Sequence, residues 1–206
     1  MSNTISNSES NQLIAGLPET ERQRLLQQCE PVGLTFGNLL CEEQTPLQHA
    51  YFPSSGLISL LSVSSDHQPL GVAMIGNEGV LGATLALGVD TPRLRGVVYG
   101  SGIGLRITAT RLSRLLRNSP GLQNALTRYS YVLMGQLLQT ATCNSFHEVE
   151  MRLARWLLMT QDRSRKGQLP MTHYNFWALE DGRAGETFGV KIPINPGAVW
   201  DIRCDS

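Results

Sequence analysis

The spacing of apolar residues changes character twice along this 206-residue chain. Residues 1–11 are rich in Ser and Asn, show no apolar period and predict a disordered leader. NQLIAGLPETERQRLLQQCEP then predicts a short helical piece and a second helix entered at Pro18. That helix places Leu25 and Leu26 on one face and ends before Pro31. Between about 31 and 107 the apolar runs are short and punctuated by Gly, Pro, Asn and Ser: PVGLTF, HAYFP, GLISLLSVSS, LGVAMIG, LRGVVYG and IGLRI. Strand-type runs recurring roughly every 8–12 residues, with Asp66-His67 and Gly76-Asn77 at turn tips, predict an antiparallel sandwich or barrel of the jelly-roll kind.

After Thr108, a good N-cap, the period becomes helical. TATRLSRLLRNS gathers Leu112, Leu115 and Leu116, leaving Arg111, Arg114 and Arg117 on the wet side. Pro120 opens a long helix in which Leu122, Leu126, Tyr129, Leu133, Gln136 or Leu137, and Thr140 recur at three- and four-residue steps. Such a stripe suits packing on a sheet or a two-stranded seam, and Leu126, Tyr129, Leu133 and Leu137 are the seam candidates. FHEVEMRLARWLLMTQDR is amphipathic, with Val149, Leu153, Trp156, Leu157 and Thr160 inward. From Leu169 the pattern weakens: a helix start at Thr172, a Gly-rich break at 182–185, and a hairpin pattern turning at Asn195-Pro196-Gly197.

Composition narrows the function. With 41% hydrophobic and 17% charged residues the chain supports a real core. No apolar run reaches the roughly 18 residues of a membrane span. The polar start lacks the features of a secretory signal, so a cytoplasmic protein is expected. Formal charge is zero, yet it is unevenly placed. Residues 1–85 hold Arg22 and Arg24 against eight acids, and residues 86–170 hold twelve basic residues against four acidic ones. Residues 171–206 hold three against five. Such asymmetry suits either a polyanion partner or solvated helix faces. Cys29, Cys41, Cys143 and Cys204 lack zinc or redox spacing, and no nucleophile-elbow, zincin or Walker pattern occurs. A cupin-type metalloenzyme would have to draw on His49 and His67 with Asp66 or Glu78, whose spacing is wrong. No enzyme is expected, and no cofactor is assigned.

Three stretches together resemble the bacterial Crp/Fnr transcription regulators. IGNEGVLGATLALGVDTPRLRGVVYGSGIGLRI (75–107) is similar to that family's phosphate-binding cassette, and TATCNSFHEVEMRLARWLLMTQDR (140–163) to its dimerisation helix and first DNA-domain helix. LPMTH (169–173) is similar to the entry into its helix-turn-helix; RLARWLLM is the most specific part, and the likeness covers about 12–173. The resemblance implies an α+β chain: a cyclic-nucleotide-binding-type antiparallel jelly roll with flanking helices, a long dimerisation helix, and a degenerate or truncated winged helix-turn-helix. The expected divisions are a leader (1–11), a sensor domain (12–119), the dimerisation helix (120–144) and a DNA-binding-type region (145–206).

In cyclic-AMP-binding relatives the cassette's glycine is followed by a ribose-binding Glu, and an Arg by a hydroxyl residue. Here Gly82 fits the glycine, Ala83 replaces the Glu, Arg93 fits the Arg and Leu94 replaces the hydroxyl. Two polar contacts of a buried nucleotide are thereby lost. The expectation is an empty jelly roll or an unidentified small-molecule effector, with Gly76, Gly79, Gly82 and Gly88 serving tight turns. Cys29 and Cys41 lack the close spacing of the Fe–S-sensing members.

The implied partners are a second copy of the chain and operator DNA. Aligning Gly182 with the helix-turn-helix glycine leaves Thr172, Arg183, Glu186 and Thr187 as the DNA-facing candidates. The same alignment sets Glu180 and Asp181 at apolar positions, where burial without partners costs several kcal/mol. Residues 174–206 are therefore either an abbreviated winged helix or a foreign tail, as after a frameshift. Two functions follow: a DNA-binding regulator, or a non-DNA-binding sensor or adaptor dimer.

Overall fold

The structure, a computed structural model, describes residues 11–64 and 67–163. Among these residues, seven strands form two antiparallel sheets, and five α-helices flank them. β1 (Glu30–Leu34), β7 (Gly102–Thr108) and β3 (His49–Pro53) form one sheet in the order β1-β7-β3. β2 (Leu39–Cys41), β6 (Arg95–Gly100), β4 (Leu57–Ser64) and β5 (His67–Ile75) form the other, in the order β2-β6-β4-β5. This is the jelly roll that the short, turn-punctuated runs predict. Its interior is filled by Phe52, Ile58, Ile75, Val98 and Ile107 from the facing sheets.

The chain enters through α1 (Gln12–Ala15) and α2 (Glu19–Leu26). Asn11 does not continue the leader. It is buried, its Oδ1 accepts from Ile14 N–H at 3.1 Å as an N-cap, and its Nδ2 donates to Pro53 O and Gly79 O at 2.9 and 2.8 Å. Residues 1–10 lie outside the described part. On α2 only Leu25 is buried; Leu26 faces out, one position further around the helix. Glu21 reaches the start of the helix that begins at Pro120, accepting from Gly121 N–H at 3.2 Å and Leu122 N–H at 2.8 Å. A carboxylate there satisfies two N–H groups that a helix start leaves open, and it opposes the positive end of the helix dipole.

α3 (Ala109–Leu116) follows β7, with Thr108 Oγ1 accepting from Arg111 N–H at 3.3 Å. Leu112 and Leu116 are buried while Arg111, Arg114 and Arg117 stay exposed. α4 (Pro120–Phe146) then runs 27 residues, and α5 (Val149–Arg163) follows after an extended backbone at His147. These two helices explain β4, whose residues Leu57 to Leu60 are all buried rather than alternating. Ile58 and Leu60 face the sandwich interior, while Leu57 joins Met74, Tyr99, Trp156 and Met159 in a second cluster beneath α5. None of the described helices is long and apolar enough to cross a membrane.

Candidate functional site

The cassette region begins where β5 ends. Residues Gly76–Val80 form a turn, Leu81 pairs with Tyr51 of β3, and a short 3-10 helix spans Ala83–Leu87. Gly82 and Gly88 bracket that helix with φ of +99° and +74°. L side chains rarely adopt this left-handed region, so these two glycines serve the backbone, as expected. Gly76 and Gly79 do not share that role, for neither has a positive φ. A Cβ on Gly79 would overlap the Tyr129 ring, and one on Gly76 would stand 2.8 Å from Arg163 Cβ. They provide room for side chains from α4 and α5, a use that the sequence pattern alone does not separate from a turn.

The structure sets the four pocket candidates in different surroundings. Ala83 is packed into the apolar interior with Leu81, Leu85 and Ala86. Leu94 lies partly buried against the same cluster. Arg93 is exposed and has no partner among the described residues. Two residues on, Arg95 in β6 is paired: its Nε donates to Glu42 Oε1, one residue beyond β2, at 2.8 Å. That hydrogen bond holds the Glu42 carboxyl below the ordinary carboxylate range.

Between these positions the interior is closed by apolar atoms: a Cβ on Gly96 would meet Cys41 Sγ at 2.9 Å and Leu81 Cδ1 at 3.2 Å. Burial pushes the Cys41 thiol up to about 11 and the Cys29 thiol up to about 12. Both stay protonated at neutral pH, poor states for a nucleophile or metal ligand. Among the described residues no three His, Cys, Asp or Glu side chains come together as a metal site. Ala83 and Leu94 therefore belong to a closed apolar interior, and the nearby charge is that of Arg93 and Arg95.

The helix candidates divide. Leu126 and Tyr129 are buried inside the chain's own core, and Leu133 and Leu137 pack partly against it. Leu126 and Tyr129 are thereby taken up by the jelly roll and are not free to form a seam with a second copy. Burial also lifts the Tyr129 phenol well above its ordinary value, helped by the Glu78 charge, and its hydroxyl has no hydrogen-bond partner. The face left open lies on the opposite side of α4. Tyr131 (73% exposed), Met134, Leu138 (64%) and Phe146 line it, with Gly135 clear of any neighbour. The 131, 134/135, 138, 142 spacing repeats the three- and four-residue step of a helical seam. α4 is apolar on both sides, so the sequence alone does not tell the covered face from the open one. Thr172, Arg183, Glu186 and Thr187 lie outside the described residues.

No protein-family model matches the sequence, and no curated protein sequence does. Solved structures do match. The c-di-GMP-responsive global regulator CLP of Xanthomonas campestris aligns at a TM-score of 0.59 and 17% identity over 76% of each chain. FixK2 of Bradyrhizobium japonicum aligns at 0.60 and 14% identity, over 73% of this chain and 76% of its own. A CooA variant of Carboxydothermus hydrogenoformans aligns at 0.52 and 14% identity, over 76% of this chain and 99% of its own. All three are Crp/Fnr-family transcriptional regulators rather than enzymes. At these identities the likeness speaks for the fold, and the described chain has the Crp/Fnr-like cyclic-nucleotide-binding-domain jelly roll with its flanking helices.

Proposed function

We propose that this chain is a cytoplasmic Crp/Fnr-type transcription regulator: a homodimer joined along α4 that binds operator DNA through the region 145–206. Its jelly roll responds to a small molecule that is not tightly bound cyclic AMP. The observation that carries the reading is α4 itself. One face of this 27-residue helix is consumed by its own jelly roll, and the opposite face is apolar and exposed through Tyr131, Met134 and Leu138. Two copies related by a two-fold axis bury that face against itself, and two DNA regions then meet two half-sites.

The effector reading rests on Ala83 and Leu94, which put apolar groups where a nucleotide needs a carboxylate and a hydroxyl. A ligand at 100 times its dissociation constant stabilises its protein by about 2.7 kcal/mol. One millimolar cyclic AMP is therefore expected to leave the melting temperature unchanged, which excludes dissociation constants near 10 µM or below. Gel-shift assays over promoter fragments at low salt test the DNA arm; retarded, salt-sensitive complexes are expected.

A second reading keeps the dimer and drops the DNA. The acidic balance of 171–206, with Glu180 and Asp181 where the resemblance asks for apolar residues, favours it. A dimer by light scattering that retards no fragment at 50 mM salt would select this sensor or adaptor reading.

A further inference from the structure

α5 lies on the outer face of the four-stranded sheet of its own chain, and two glycines make room for it. A Cβ on Gly71, within β5, would stand 2.9 Å from Trp156 Cη2. Gly76, one residue beyond β5, would meet Arg163 Cβ at 2.8 Å. Neither glycine has a positive φ, so each supplies space and not backbone freedom. Trp156 and Arg163 are seven residues apart, two turns along one side of the helix.

Both contacts are specific. The Trp156 ring stands edge-on to Tyr99, 5.8 Å between centroids at 87°, and its Nε1–H donates to Tyr99 Oη at 3.2 Å. Arg163 Nε donates to Glu78 Oε1 at 2.9 Å, and the same oxygen accepts from Gly76 N–H at 3.2 Å. The Arg163 and Glu78 side chains are only 17% and 27% exposed, so salt screens the pair less than a surface one. Near the elbow, Arg155 Nη1 donates to Thr140 Oγ1 at 3.1 Å, and Thr140 Oγ1 donates to Val72 O at 2.9 Å.

These contacts join two parts with different duties. Glu78 sits in the loop that leads from β5 to Gly82 and the cassette. Arg163 is in the last turn of α5, the helix by which the chain leaves the sensor. We propose that they form an intramolecular latch. Trp156 over Gly71 and Arg163 on Glu78 hold α5 in one orientation, and a rearrangement of residues 76–82 that withdraws Glu78 releases it, pivoting at His147. The cassette thereby acts on α5 directly within one chain, as well as through α4. Its link to an effector and to DNA rests on the regulator reading above, whereas the latch itself is measured without either.

The full chain carrying Trp177→Phe and Trp200→Phe leaves Trp156 as the sole indole. In that background, acrylamide quenching reads how far Trp156 is exposed. Glu78→Gln and Arg163→Gln are each expected to raise the quenching constant about twofold or more with unchanged far-UV circular dichroism. Loss of a charge-assisted hydrogen bond shifts a two-state population by roughly tenfold. Glu42→Gln, which breaks the Arg95 pair on the same sheet, is expected to leave quenching as it was. Arg163 lies in the terminal turn, so its variant keeps the test alive if the loop variant fails to fold. Unchanged quenching in a folded Arg163→Gln chain overturns the latch, and so does an equal rise in Glu42→Gln. Neither outcome bears on whether the protein binds DNA.

Discussion

Gln136 on α4 accepts a hydrogen bond from the backbone N–H of Met74 at 3.2 Å, and Thr140, one turn on, donates to Val72 O at 2.9 Å. Strand β5 is the outer strand of its sheet, so these side chains occupy ladder positions that another strand would otherwise fill. The helix is thus bonded to the sheet edge as well as packed on it.

Replacing Gln136 with Leu tests this bond. The Met74 N–H would be left buried without its acceptor, at a cost of about 1–3 kcal/mol. Urea denaturation is expected to show a lower midpoint with an unchanged slope. An unaltered midpoint would mean that the edge is satisfied some other way.

The two faces of α4 separate by mutation. Leu126→Ala removes a fully buried side chain and is expected to cost about 2–5 kcal/mol of stability. Leu138→Arg, on the exposed face, is expected to leave the melting temperature within a few degrees while converting dimer to monomer by multi-angle light scattering. A dimer that survives Leu138→Arg places the interface elsewhere.

Asn11 bridges the entry helix, β3 and the cassette loop through three hydrogen bonds. Asn11→Ala strands the Pro53 and Gly79 carbonyls, and about 2 kcal/mol or more of stability is expected to go with them. Thermal unfolding of this variant beside Asn11→Asp separates the cap from the two donor bonds. Asp keeps the acceptor for Ile14 N–H and loses both donors.

The thiols of buried Cys41 and partly buried Cys29 set an alkaline limit. Cys29 and Cys41 are raised from 9.0 to about 12 and about 11, so the folded chain holds these protons more tightly than the unfolded one. Their contribution is complete below pH 9 and is lost as pH rises toward 11 to 12. Stability measured from pH 8 to 11 is expected to fall, with a shallower fall in Cys29→Ala. Alkylation at pH 8, mapped by mass spectrometry, is expected to leave both residues unmodified in the native chain. Rapid labelling of Cys41 would contradict its burial.

The jelly roll was legible because turn residues and short β-type runs repeat with little ambiguity, and the helices because Thr108 and Pro120 mark their starts. Which face of α4 its own sheet covers was not. A helix that meets its own sheet on one side and presents Tyr131, Met134 and Leu138 on the other carries two apolar stripes, and periodicity alone does not rank them. Nor was the purpose of Gly71, Gly76 and Gly79. A glycine that makes space for Trp156, Arg163 or Tyr129 reads the same in sequence as one that makes a turn. Ala83 and Leu94 were legible as substitutions, and the structure adds that both side with the apolar interior.

The central claim is sequence-specific DNA binding by a two-fold dimer, and selection of duplexes from a randomised pool by the full-length chain tests it most directly. The account predicts enrichment of an inverted repeat whose half-sites are centred about 10–10.5 base pairs apart, or a multiple of that. A pool that stays unenriched at 50 mM salt, after successive rounds with a demonstrably folded dimer, would contradict it.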